Sequence, residues 1–182
     1  MALIGKLDEK IVMPAEVSLK FQDHVLTVTA KGKSLRRTFR HPRVTMAVKG
    51  KEVQITSEFP RRREKALAGT WAAHVRNMAH GVTKGWRYEM KVVFSHFPIK
   101  VGVKGDRVVI DNFLGEKFPR GAPIHGDTTV DIQADILVLT GTDVEMVSQT
   151  AAAIEQATRV RGFDIRIFQD GIYITKKAVE VG

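Results

Sequence analysis

The sequence predicts an α+β fold: two duplicated small domains, each an antiparallel sheet covered by one long helix. Short runs of alternating apolar and polar residues recur between Gly and Asp turn signals. Two longer stretches set apolar residues three and four apart, the period of an amphipathic helix. The same succession of elements also runs twice, at an offset of about 83 residues.

The first domain is expected over residues 1–82. It opens with FQDHVLTVTAKGKSLRR, where Val25, Thr27 and Thr29 alternate with Leu26, Val28 and Ala30. β-Branched residues in that pattern suit a pleated, half-buried surface. VTMAVKGKEVQITSEFP follows, with Gly50 as a hairpin turn and Val53-Gln54-Ile55-Thr56 as an alternating strand. Leu67, Trp71, Val75, Met78 and Val82 then form one helical stripe. Pro60 suits its first turn, and Gly81 lies near its expected end.

The second domain is expected over residues 83–182 and repeats the order. VKGDRVVIDNFLGEKFPR carries a hairpin at Gly105-Asp106, and TVDIQADILVLTGTDVE supplies the alternating Val130 to Gln133. Asp23 corresponds to Asp106, Val25 to Val108, Gly32 to Gly115 and Arg37 to Arg120. Thr142 and Glu145 form a T-x-x-E capping box before the stripe Val144, Val147, Ala151, Ile154 and Thr158, with Gly162 as the stop. A strand pair from Ile165 to Ile174, turning at Asp170-Gly171, has no counterpart in the first half.

Composition narrows the function. Apolar residues make up 43%, enough for packed cores. The net charge of +9 and pI near 9.9 favour a polyanionic partner, either nucleic acid or an acidic membrane surface. With no cysteine, disulfides, thiolate zinc sites and a Cys nucleophile are excluded. The N-terminal apolar segment is too short for a signal peptide, and no apolar window is long enough for a membrane helix. A soluble, intracellular protein is expected.

Catalytic patterns are missing. His74 and His80 lie six apart on one helix, whereas two zinc ligands on a helix face want four. Ser95 and His96 are strand neighbours that point to opposite faces. There is no G-x-S-x-G, no P-loop and no G-x-G-x-x-G. An RNA-modifying or phosphoryl-transfer enzyme would have to rest on His96 with Asp111, without a supporting pattern. The expectation is no enzyme, no metal and no cofactor.

Basic residues cluster instead. Lys31, Lys33, Arg36, Arg37, Arg40 and Arg43 line the first domain's hairpin, and Arg61-Arg62-Arg63 reads either as a solvated face or as a contact. In the second domain, Lys100, Lys104, Arg107, Lys117, Arg120, Arg159, Arg161, Arg166, Lys176 and Lys177 recur in loops and strand ends. DNFLGEKFPRGAP combines Asn, Gly, Pro and cations. Glycine there lets backbone approach a phosphate, and Asn112 can reach 2′-hydroxyls or base edges. The plain alternative is a long hairpin turn. No helix-turn-helix, zinc finger or basic heptad helix is present, so RNA recognised by shape and backbone fits better than duplex DNA. A membrane surface would call for an amphipathic helix with a basic polar face, and the Trp71 helix has a mixed one.

The run QATRVRGFDIRIFQDGIYITKK, from Gln156 to Lys177, resembles the signature of the large-subunit ribosomal protein six family. The likeness is to its archaeal and eukaryotic branch, and most of all to an archaeal member. Gln156, Val160, Asp164, Ile165, Arg166, Phe168, Asp170, Gly171, Ile172 and Tyr173 fit that pattern, while Phe163 departs where the family has Lys or Arg. VVFSHFPI (Val92 to Ile99) and DNFLGEK (Asp111 to Lys117) are further family-like blocks. The resemblance implies a structural constituent of the large ribosomal subunit, cytoplasmic and on the ribosome. It implies binding to 23S-type rRNA near the factor-binding region and the sarcin–ricin loop, mainly through the C-terminal domain. The implied partners are this rRNA, neighbouring large-subunit proteins and nearby translation factors, with no membrane and no DNA. It carries over Arg161, Arg166 and Tyr173, and the loop of Asn112, Gly115, Lys117 and Arg120. Charge clustering adds Lys100, Lys104, Arg159, Lys176 and Lys177 to the expected rRNA-binding set.

Overall fold

The computed structural model describes residues 5–95 and 97–181. The chain divides into two compact units, residues 1–84 and 85–182. Both are α+β, with small antiparallel sheets and one helix apiece among the described residues.

In the first unit the strands are β1 (Lys6–Val12), β2 (Ser18–Gln22), β3 (Val25–Ala30), β4 (Lys33–Thr38), β5 (Thr45–Lys49) and β6 (Glu52–Glu58). The helix α1 (Arg62–Thr83) follows. The strands form two sheets, ordered β1-β6-β5 and β2-β3-β4. Strand alternation does the expected sorting: Leu26, Val28 and Ala30 are buried, while Val25, Thr27 and Thr29 are half-buried on the other face. Trp71, Val75, Met78 and Val82 of α1 join this core, and Phe39 meets the Trp71 ring edge-on at 5.4 Å.

The second unit repeats the order with β7 (Trp86–Val93), β8 (Lys100–Lys104), β9 (Arg107–Asp111), β10 (Arg120–Pro123), β11 (Thr129–Gln133) and β12 (Ile136–Gly141). A 3-10 turn, Phe113–Gly115, sits between β9 and β10, and α2 (Val144–Ala157) and β13 (Gly171–Glu180) complete it. Its sheets are β10-β9-β8 and β11-β12-β7-β13. Strand for strand, the pairing is that of the first unit, and β13 is added on the free edge of β7.

Four expectations need correction. Each unit splits its strands between two sheets, because apolar periodicity reports which residues are buried and not which strands pair. Gly81 does lie near the end of α1, two residues before Thr83, and the residue that turns left-handed beyond the helix is Gly85 (φ +80°). The cap sits one residue later than expected: Asp143, not Thr142, caps α2 by accepting from the Glu145 N–H at 2.9 Å. Thr142 instead gives both its N–H and its hydroxyl to the Asp127 carboxylate. α2 ends at Ala157, not Gly162.

The last correction concerns the expected strand pair from Ile165 to Ile174. Only Gly171 onward is a strand, and its partner is β7. On the outer edge of β13, where a hairpin partner would lie, side chains of α2 and its C-terminal cap have taken the places. The Ile172 N–H donates to the Thr158 hydroxyl at 3.0 Å, and the Ile174 N–H to Glu155 Oε1 at 3.4 Å. Residues 160–170 therefore form a loop in which Ile165 and Ile167 are 69% and 62% exposed. Asp170 is not a turn residue between strands. It is buried, and its carboxylate accepts from the Ser95 N–H at 3.1 Å.

Candidate nucleic-acid interface

Two loops of the second unit hold most of the expected binding residues. The first follows β9. Asn112 (φ 59°), Leu114 (φ 52°) and Gly115 (φ 75°) are all left-handed, which winds the chain tightly after Asp111. The Asn112 side-chain amide donates to the Pro98 carbonyl at 3.1 Å, holding the turn against the segment that leads into β8. A Cβ on Gly115 would stand 3.3 Å from the half-exposed Phe97 ring, so a side chain there would be strained by φ and would have to push that ring aside. Beyond it Glu116, Lys117, Phe118 and Pro119 project, with Phe118 84% exposed.

The second loop runs from the end of α2 to β13. Gly162 (φ 79°) reverses the chain. The Asp164 carboxylate then accepts from the Arg166 N–H at 2.9 Å, and its carbonyl accepts from Ile167 and Phe168 at 3.0 and 2.9 Å. Phe163, 52% exposed, lies against Phe168 with ring centroids 4.8 Å apart. The Tyr173 hydroxyl donates to the Gln169 carbonyl at 3.2 Å. Phe168, Gln169 and Tyr173, with Arg159, Val160 and Ile165, line an open groove of about 550 Å³.

Arg120 ties the two loops together. Its Nε and Nη2 donate to the two Glu116 carboxylate oxygens at 2.8 and 2.6 Å. Nη1 donates to the Ala157 and Arg159 carbonyls at 2.8 and 3.2 Å. The guanidinium also lies over the Phe113 ring, 4.2 Å from its centroid. Four of its five N–H groups are thus engaged within the protein. Glu116 is held below the usual carboxylate range, chiefly by the hydrogen bond from Arg120.

The remaining expected residues spread out. Lys100 opens β8 opposite Asp111, close to the Asn112 loop. Lys104 is at the other end of that hairpin, about 13 Å along the strand. Lys176 is paired with Glu89 at 3.0 Å, and its hydrogen bond is the main reason Glu89 is held below its usual range. Lys177 is exposed farther along β13. The structure brings Asn112, Gly115, Lys117, Arg120 and Arg159 together, and sets Arg161 and Arg166 on the second loop, to which Tyr173 is tied from the start of β13. It leaves Lys104, Lys176 and Lys177 on other parts of the unit.

Sequence reasoning missed Phe97 beneath Gly115 and the reach of Arg120 to α2. The Glu116–Arg120 spacing was visible, but nothing local pointed to the Ala157 carbonyl 37 residues away. Among the described residues no group of three His, Cys, Asp or Glu side chains could hold a metal. The catalytic alternative on His96 lies outside the described residues. No described helix is long and apolar enough to cross a membrane.

Residues 13–85 and 97–171 match the family model for Ribosomal protein L6, one segment per unit to within a residue. The chain belongs to the ribosomal protein L6 family. A Haloarcula marismortui relative described as large ribosomal subunit protein uL6 is 47% identical over 169 residues, covering 92% of this chain and 94% of its own. The proteins of that description from Methanococcus vannielii and Ignicoccus hospitalis are 41% and 47% identical. They cover 100% and 92% of this chain, and 100% and 92% of their own lengths. Ribosomal protein L6 proteins are structural, non-enzymatic components, so the basic loops above belong to a structural protein and not to an enzyme.

Proposed function

We propose that this chain is a structural constituent of the large ribosomal subunit. In this reading it binds 23S-type rRNA, with the C-terminal unit as its principal RNA-binding domain. The observation that carries the reading is the Arg120 joint. It fixes the left-handed Asn112–Gly115 turn beside a loop that carries the exposed Arg159, Arg161 and Arg166. A rigid pair of basic loops, with glycine allowing close approach, suits recognition of folded RNA by shape and phosphate position. Arg120 acts there as the brace, while Lys117, Arg161, Arg166 and the half-exposed Tyr173 face the RNA.

The C-terminal signature supports a site near the factor-binding region and the sarcin–ricin loop, beside neighbouring large-subunit proteins and within reach of translation factors. The strand-for-strand correspondence of the units supports an ancestral duplication, with β13 added to the second copy. The working compartment in this reading is the cytoplasm.

The test is binding of the full chain to protein-free large-subunit rRNA across a salt series. Removing one phosphate-binding cation should lower the log–log salt slope by about 0.7–0.9. An Arg161→Ala/Arg166→Ala variant is expected to bind more weakly and with a shallower slope. Unchanged affinity and slope would remove these residues from the interface.

A further inference from the structure

The two units differ sharply in charge. Residues 1–84 contain 17 Lys and Arg against 7 Asp and Glu, a formal charge of +10. Residues 85–182 contain 12 against 13, a formal charge of −1. All of the chain's net positive charge therefore resides in the unit that the proposed contacts of the second unit leave unused. Within it the charge is concentrated further. From His24 to Lys51 there are eight basic residues and no acid.

The two sheets of this unit are not equivalent outside. On the outer face of β1-β6-β5, Lys6, Lys10 and Lys49 are balanced by Asp8, Glu52 and Glu58, with Lys6 opposite Glu58 and Lys49 opposite Glu52. On β2-β3-β4, strand register sets Lys20, Thr27 and Arg36 in one row across the sheet. Ser18, Thr29 and Ser34 form the row on one side, and Gln22, Val25 and Thr38 the row on the other. No acid stands in these rows; Asp23, in the β2–β3 turn, is the acid at the margin of a shallow hollow of about 360 Å³ beside Lys20 and Arg36. Among the described residues, Lys20, Lys33, Arg36 and Arg40 form no ion pair.

We propose that the outer face of β2-β3-β4, continued by Arg40, is a second RNA-backbone-binding surface. It rests on the reading of the chain as an rRNA-binding protein and extends that reading to the N-terminal unit. Cations supply attraction to phosphates, and flanking hydroxyls and amides supply hydrogen bonds to phosphate and 2′-hydroxyl oxygens. The face carries none of the large exposed apolar side chains that a protein interface or a membrane anchor would use. Charges on an edge strand also discourage strand-to-strand aggregation. That role accounts for Lys20 on β2 and Arg36 on β4, the two edges of this sheet, but not for Arg40 beyond β4 or for the unit's charge of +10.

Two triple variants of the full chain test this at equal charge change. Lys20→Gln/Arg36→Gln/Arg40→Gln removes the proposed surface; Lys6→Gln/Lys10→Gln/Lys49→Gln removes the same charge from the balanced sheet. All six side chains are exposed, and matching unfolding curves would show that both variants fold. The probe is protein-free large-subunit rRNA from Methanococcus vannielii, titrated across a salt series. The expected result is about a tenfold or greater loss of affinity and a salt slope lower by about 2 for the first variant. The second should change affinity less than about twofold. Equal losses in both variants would reduce the effect to net charge and overturn the proposal. So would an unaffected first variant, or a first-variant loss seen equally with polyglutamate in place of RNA, which would assign the face to an acidic protein. If the unaltered chain fails to bind the rRNA at all, it is the ribosomal reading that fails.

Discussion

Arg120 and Glu116 form a two-pronged ion pair at 2.6 and 2.8 Å, and the same guanidinium holds the carbonyls of Ala157 and Arg159. Arg120→Lys should therefore behave more like a deletion than a conservative change, since an ammonium cannot span both sets of acceptors. The expected loss is about 1–3 kcal/mol in denaturant unfolding. Amide exchange should quicken in both loops at once. Exchange confined to the Glu116 loop would mean that Arg120 does not couple them.

The same pair fixes a pH dependence. Glu116 has its carboxyl lowered in the folded protein, so its contribution is full above the ordinary carboxylate pKa and is lost as pH falls through that range toward the lowered value. Glu116→Gln should lower the unfolding temperature at pH 7, with the gap from the unaltered chain closing below about pH 4. Because Glu116 is partly exposed, the effect should be at most about 1 kcal/mol and should shrink in high salt.

Thr158 closes the edge of β13. Thr158→Val keeps its shape but leaves the buried Ile172 N–H without its acceptor, at a cost of about 1–3 kcal/mol. The site-specific signature is faster hydrogen exchange at Ile172. Unchanged protection there would mean that the edge is covered in some other way.

The loop between α2 and β13 makes the opposite prediction. Ile165→Gln and Ile167→Gln should each change stability by no more than about 0.5 kcal/mol, as exposed positions do. A buried hairpin strand would lose far more at one of the two. A cost of several kcal/mol at either position would restore the hairpin.

Gly141 tests the packing of the second unit. A Cβ there would stand 2.7 Å from Val147 Cγ2 and 3.5 Å from the Thr128 backbone. Gly141→Ala is expected to destabilise by about 1–3 kcal/mol through overpacking at the start of α2.

These contrasts show where the sequence was informative. Strand alternation at Leu26 and Val28, and the stripes at Trp71 and Ile154, followed directly from burial and survived intact. The doubled element order was legible because both units bury the same pattern. Ile165 and Ile167 misled for the same reason: alternation normally reports a half-buried strand, yet here no sheet faces them. What excludes a strand is a pair of side chains, Glu155 and Thr158, that cover the β13 edge from a distance. The basic loops were visible as composition, but which cation braces and which faces outward depended on carbonyls at the end of a helix. The charge of the first unit was in view residue by residue, and its meaning emerged only once strand register put Lys20 and Arg36 in one row.

The most direct measurement is sucrose-gradient sedimentation of an extract from the source cells, with the chain followed by antibody. It should travel with the large ribosomal subunit, and ribonuclease treatment should release it. Sedimentation as a free protein of about 20 kDa, unchanged by ribonuclease, would contradict its assignment as a constituent of the large subunit.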